Sequence, residues 1–103
     1  MAKNFKLLYS PLFFDDLDKI TGYIVYELKN EQAAVALIDS VEFAIKQRLV
    51  HPLQTANYQS LNERADPYRR IVVGSYLIFY VVVDGAMVVR RMLYGRRDID
   101  RIL

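Results

Sequence analysis

The chain is predicted to form an α+β fold with the element order β-α-α-β-β-β, a helix hairpin packed on one face of a small antiparallel sheet. Three observations predict it. Two tight-turn signals, Gly74-Ser75 and Asp84-Gly85, divide the last third into runs rich in Val, Ile, Tyr and Phe. Two-residue links of this kind close antiparallel hairpins, because their twist matches that of the strands. Two earlier stretches place apolar residues at helical spacing, Phe13, Leu17, Ile20, Ile24, Leu28 and then Ala34, Leu37, Val41, Ile45, Leu49. A short link joins them, so the helices run antiparallel.

Each element follows from its residues. Phe5 to Tyr9 is a short strand candidate. Ser10 is placed to cap the first helix and Pro11 to start it, where the missing N–H costs nothing. Asp15, Asp16 and Asp18 come early, at the positive end of the macrodipole. Asn30 is expected to end that helix in the left-handed region. The second helix spans Glu31 to Val50, supported by Glu42 four residues before Lys46. His51-Pro52 stops it, since the residue before a proline is driven out of the α region. Residues 54–67 read as a polar loop, and Asp98–Leu103 as a short helical tail. The strand Tyr76–Val83 is apolar on both faces, so something besides the hairpin must cover it.

A length of 103 residues fits one domain, 1–103, with a single core. There is no cysteine, which excludes disulfides and thiolate metal sites; one histidine and scattered carboxylates give no metal motif. No run approaches the ~20 apolar residues of a membrane span, and Met1–Lys6 lacks the apolar stretch of a signal peptide. A cytoplasmic protein without cofactor, metal or membrane partner is expected. The net charge of +2 is uneven: residues 68–103 carry seven of the fourteen basic residues, all arginine, against three acids. This basic end suits a polyanion or an acidic partner.

Counting outward from the two turns places Arg70 and then Arg90 opposite Phe79. One face then holds Arg70, Val72, Leu77, Phe79, Val81, Val88, Arg90, Met92 and Tyr94. The other holds Ile71, Val73, Tyr76, Ile78, Tyr80, Val82, Met87, Val89 and Leu93, with Arg69 and Arg91 at its margin, and is expected to meet the helices. Arginines flanking an aromatic can grip phosphate and stack on a base. They equally fit ion pairs with surface carboxylates, the simpler reading. His51, before a proline, reads as a helix end and not as a catalyst.

The block Y-R-R-I-V-V-G-S-Y-L-I-F-Y, D-G, V-V-R-R-M-L-Y-G-R-R-D-I, with S-P-L-F-F-D-D-L-D-K-I-T-G-Y-I before it, resembles the ParE/RelE superfamily of toxins from type II toxin–antitoxin modules. The resemblance covers nearly the whole chain. It implies one of two activities: inhibition of DNA gyrase, as in ParE-like members, or ribosome-dependent mRNA cleavage, as in RelE-like members. Leu77 stands where ribonuclease members carry an arginine, and the tail has no Tyr or His, so the ParE-like reading is favoured. S-Y-L-I-F-Y-V-V and R-R-M-L-Y-G-R-R-D-I also look like ParE-type members, although Tyr94 replaces their usual His. The ribonuclease alternative would use Arg70 and Arg97 on the phosphate and Tyr94 for proton transfer. Arg70, Arg90, Arg96 and Arg97 are the expected target-binding residues. A cognate antitoxin is expected to cover Phe14 and Phe43 on the hairpin and Leu77, Phe79 and Met92 on the open sheet face.

Overall fold

The computed structural model describes residues 4–53 and 68–95. In chain order the elements are β1 (Lys6–Tyr9), α1 (Pro11–Tyr26), α2 (Glu31–Val50), β2 (Arg69–Val73), β3 (Tyr76–Val83) and β4 (Ala86–Tyr94). The order is the expected one, and α2 begins and ends where its sequence signals lie. The expected loop at 54–67 and the tail at 98–103 fall outside the described residues. β2, β3 and β4 form the antiparallel meander. β1 adds to β4 in parallel, so the sheet is mixed, with spatial order β1-β4-β3-β2. Both turns have the expected chemistry. Gly74 sits at φ 57, and Asp84 and Gly85 at φ 52 and 73, the left-handed values such hairpins require.

The helix ends differ in detail. Ser10 occupies the N-cap of α1, yet its hydroxyl does not cap; it donates to the Arg90 carbonyl at 2.7 Å. Lys29, not Asn30, takes the left-handed conformation at φ 51. Asn30 is committed elsewhere, because its side chain accepts from the Ala33 N–H as the N-cap of α2. The Glu42–Lys46 pair forms at 2.7 Å, exposed and screened by water.

α1 lies over β4 and α2 over β2. Between helices and sheet lies the core of Phe13, Val41, Ile45, Ile71, Ile78, Tyr80, Met87, Val89 and Met92, flanked by Leu17, Ile20, Leu37 and Leu49. Both helical stripes therefore face inward as their spacing dictates. Leu28 is the exception: it lies beyond the end of α1 and is 57% exposed. Tyr80 is fully buried and brings a hydroxyl with it. That hydroxyl donates to the Pro52 carbonyl at 2.6 Å and accepts from Arg48 Nη1 at 3.2 Å. Arg48 also donates to the Arg70 carbonyl at 3.0 Å, tying the end of α2 to β2 and β3. On the sheet's other face Phe79 and Val81 are buried too, with the Tyr68 ring edge-on to Phe79 at 6.2 Å. Both faces of the central strand are covered, as its composition requires.

The β2–β3 register is the expected one, with Arg70 opposite Phe79. The β3–β4 register departs from expectation. From Val83–Ala86 to Val81–Val88 it follows the turn, but Tyr80 then lies opposite Val89 and Phe79 opposite Arg91. Arg90 is thus the extra residue of a β-bulge, and one extra residue reverses the facing of all that follows. Met92, expected on the open face, lies opposite Ile78 in the core and is 1% exposed. Tyr94, expected beside it, pairs with Tyr76 on the helix side instead. Arg91 and Leu93 move to the open side, opposite Phe79 and Leu77.

The cause is Asp16. β1 pairs with β4 only as far as Val89, which leaves the next stretch of β4 edge to α1. There the Asp16 carboxylate accepts from Arg91 Nε at 2.7 Å, from Arg91 Nη2 at 3.0 Å and from the Met92 N–H at 3.0 Å. The expectation that Asp16 serves the helix dipole is corrected: it binds a strand. Replacing Asp16 with Ala should destabilise the protein by about 3 kcal/mol, since it strands a partly buried guanidinium and a backbone donor. Urea denaturation of Asp16→Ala, Arg91→Ala and the double variant should show the double costing clearly less than the two singles together. Additive losses would mean that the pair does not act as a unit.

Candidate functional site

Across the open face the register sets Arg70, Phe79 and Arg91 in one row. The row is not the expected one, because Arg91 stands where Arg90 was placed. Its chemistry differs as well. Arg91 is held by a bidentate carboxylate on one side and is only about one-fifth exposed. The hydrogen bond to Asp16 raises its pKa further, against the opposing effect of burial, so its charge is fixed and already compensated. Phe79 at the centre is inaccessible. The row is a structural seam, and Phe79 offers an incoming base no surface to stack on.

The arginines separate by what holds them. Arg48 is bound to Tyr80 and the Arg70 carbonyl, with its guanidinium 5.9 Å from the Tyr80 ring centre. Arg69 reaches the Leu53 carbonyl at 3.5 Å. Arg70 is exposed at the β2 margin and has contacts of its own. Arg90 is exposed at the bulge, and among the described residues it is the arginine whose side chain makes no hydrogen bond or ion pair. Arg96 and Arg97 lie outside the described residues.

Tyr94 does not join Arg70. It stands at the end of β4 on the helix side, its ring 5.4 Å from that of Tyr76. Burial, followed by the neighbouring Tyr94 and Tyr23, raises the Tyr76 phenol above its ordinary 10.0. Burial also raises Tyr9, with Glu42 adding to it. Tyr76 and Tyr9 thus hold their protons more firmly than a free phenol. Tyr94 and Arg70, one of the two phosphate cations of the ribonuclease alternative, are therefore on opposite faces of the sheet, while Arg97 lies outside the described residues. His51 caps the end of α2 and is exposed, as its place before proline implies. Among the described residues no cluster of His, Cys, Asp or Glu could hold a metal ion, and no helix is long and apolar enough to cross a membrane.

The apolar candidates divide in the same way. Phe14 and Phe43 are 49% and 64% exposed on the hairpin, with Val35, Ile38 and Tyr26 also exposed. Leu77 is half-buried on the open face. Met92 and Phe79 are buried and offer no surface to a partner, which corrects their placement. Sequence reasoning missed the Asp16–Arg91 and Arg48–Tyr80 contacts. Partners 75 and 32 positions apart leave no local spacing to detect.

Residues 7–99 match the family model described as ParE toxin of type II toxin-antitoxin system, parDE. No curated protein matches the chain. A solved structure of a chromosomal ParDE toxin–antitoxin system from P. aeruginosa superposes with a TM-score of 0.74 at 15% identity, covering 92% of this chain and 100% of that one. A RelB–RelE antitoxin–toxin complex from Methanococcus jannaschii is 22% identical, with a TM-score of 0.49 and coverage of 93% and 98%.

Because the Tyr9 and Tyr76 phenols are raised in the folded state, the unfolded chain loses these protons first. Their stabilising contribution is whole below pH ~10 and is lost as pH rises through the folded values. Denaturation midpoints should fall on that alkaline limb, and less steeply in Tyr76→Phe. A Tyr76→Phe curve with the wild-type slope would contradict the raised phenol.

Proposed function

The chain belongs to the ParE toxin family, and on that premise we propose that it arrests growth by binding and inhibiting DNA gyrase and is neutralised by a cognate antitoxin. The observation that carries this reading is the division of Tyr94 and Arg70 between the two sheet faces. Cleavage through the 2′-hydroxyl requires a base, an acid and phosphate-binding cations around one phosphorus. A binding protein has no such requirement. It needs a firm framework and a few accessible anchors, and the described surface offers those. In this reading the target contacts come from the basic end, Arg70, Arg90, Arg96 and Arg97.

The antitoxin's place is the hairpin. Phe14 and Phe43 expose large apolar surface on helices whose inner stripes are already buried, and such surface commonly marks an interface. A segment that is disordered when free can lay an apolar helix there and carry acidic residues toward the arginines. Affinity then comes from the apolar anchors, while charge sets register and on-rate.

Purified protein should block gyrase supercoiling and leave ribosome-bound mRNA uncut in primer extension. Normal supercoiling at toxin excess would remove the gyrase reading, and new 5′ ends inside codons would install the nuclease in its place.

With the antitoxin encoded beside it as titrant, replacing Phe14 and Phe43 together by Asp should weaken binding about 100-fold or more, and Arg97→Glu about tenfold or less. The reverse ranking would reject the hairpin as the main antitoxin surface.

A further inference from the structure

The bulge in β4 makes two neighbouring arginines unlike. Arg91 is consumed by Asp16, whereas Arg90 is exposed and, among the described residues, its side chain makes no hydrogen bond or ion pair. Its backbone, by contrast, is fixed from several directions. The Ser10 hydroxyl donates to the Arg90 carbonyl at 2.7 Å, and the Ser10 N–H donates to the Val89 carbonyl at 2.9 Å. Two residues on, Asp16 takes the Met92 N–H. A residue whose main chain is this firmly held, and whose charged side chain is left in water, loses little backbone entropy when a partner binds it. Bulges serve to re-aim a side chain in this manner.

The surroundings indicate what it would meet. Leu8 and Leu12 stand two residues either side of Ser10, the residue bonded to Arg90, and they are 49% and 54% exposed. Leu8 pairs in register with Val88, two residues before Arg90. An exposed guanidinium two residues along β4 from the partner of an exposed leucine has the composition of a protein–protein anchor, an arginine with an apolar neighbour that helps exclude water. A nucleic-acid surface would set several unpaired cations in a row along a backbone; among the described arginines, Arg48, Arg69, Arg70 and Arg91 all have partners already.

We propose that Arg90, presented by the β4 bulge close to Leu8, is the specificity-determining contact with the toxin's cellular target, a protein surface that offers it a carboxylate. This rests on the toxin reading above but not on which enzyme is inhibited, so the two can fail separately.

The test compares Arg90→Glu and Arg90→Lys with the unaltered protein. Both should shift the melting temperature by less than about 3 °C, because the side chain holds nothing in the fold. Induced in cells, Arg90→Glu should lose growth arrest, and in the supercoiling assay its inhibition should fall about 30-fold or more. Arg90→Lys should recover part of it, since the charge remains without the fork. Binding of Arg90→Glu to the antitoxin should fall by about tenfold or less, the loss of a charge that sets only register and on-rate, which separates a target contact from a damaged fold. Arrest by Arg90→Glu equal to that by the unaltered toxin would overturn the proposal. If the unaltered protein arrests growth without touching gyrase while Arg90→Glu does not arrest, the gyrase reading fails and the Arg90 assignment stands. A third arm measures anisotropy of labelled single-stranded RNA and DNA oligonucleotides. Binding that depends on Arg90 and weakens steeply with salt would replace the protein partner by a nucleic acid and overturn the assignment as stated.

Discussion

The Asp16 carboxylate is the contact from which the rest of this surface follows. It sits on the first helix and receives both a side-chain fork and a main-chain N–H from β4. Strand pairing alone gives β4 no reason to gain a residue at Arg90. The carboxylate supplies one, because it pairs an edge that β1 is too short to reach. Once the bulge is set, Met92 turns into the core and Arg91 to the margin, and Arg90 is left in water. One oxygen pair thus holds β4 just beyond Val89 in this facing.

A second anchor works at the opposite end of the sheet. Tyr80 places a hydroxyl in a fully buried position, where an unpaired polar atom would be costly, and Pro52 and Arg48 satisfy it from the end of α2. Arg48 continues to the β2 backbone. The helix hairpin is therefore fastened to the sheet at two points, Asp16 on β4 and Arg48 on β2 and β3, with the apolar core between them. The arginines so employed are lost to partners. A count of basic residues consequently overstates the cationic surface, and it is the pairing of each guanidinium that tells which are available.

Most of the architecture was legible because local and global signals agree. Helical spacing placed the inner stripes of α1 and α2, and the two turns set β2–β3 pairing residue by residue. What escaped was set by long-range contacts. Alternation has a period of two and cannot show where a residue is skipped, so the face assignment held up to Val89 and inverted beyond it. Arg90 and Arg91 read alike in sequence, and only the approach of a carboxylate 75 positions away distinguishes them. Asn30 went astray for a related reason: two helices meet within a few residues, and its side chain serves the start of the second, not the end of the first. The superfamily resemblance, resting on the order of whole segments, was insensitive to such local slips.

The parallel pairing of β1 with β4 also constrains how the molecule comes into being. Lys6 pairs with Ala86, and Tyr9 with Val89, so the first strand lies against the last one. A chain synthesised from its N-terminus exposes β1 and both helices long before β4 exists to receive them. Until then Phe13, Val41 and Ile45 have no sheet to cover, and closing so long a loop is slow compared with forming a helix. The β4 surface, bulge and arginines included, is absent throughout that interval. An emerging copy therefore presents its hairpin to the surroundings well before the sheet that the hairpin packs on is complete.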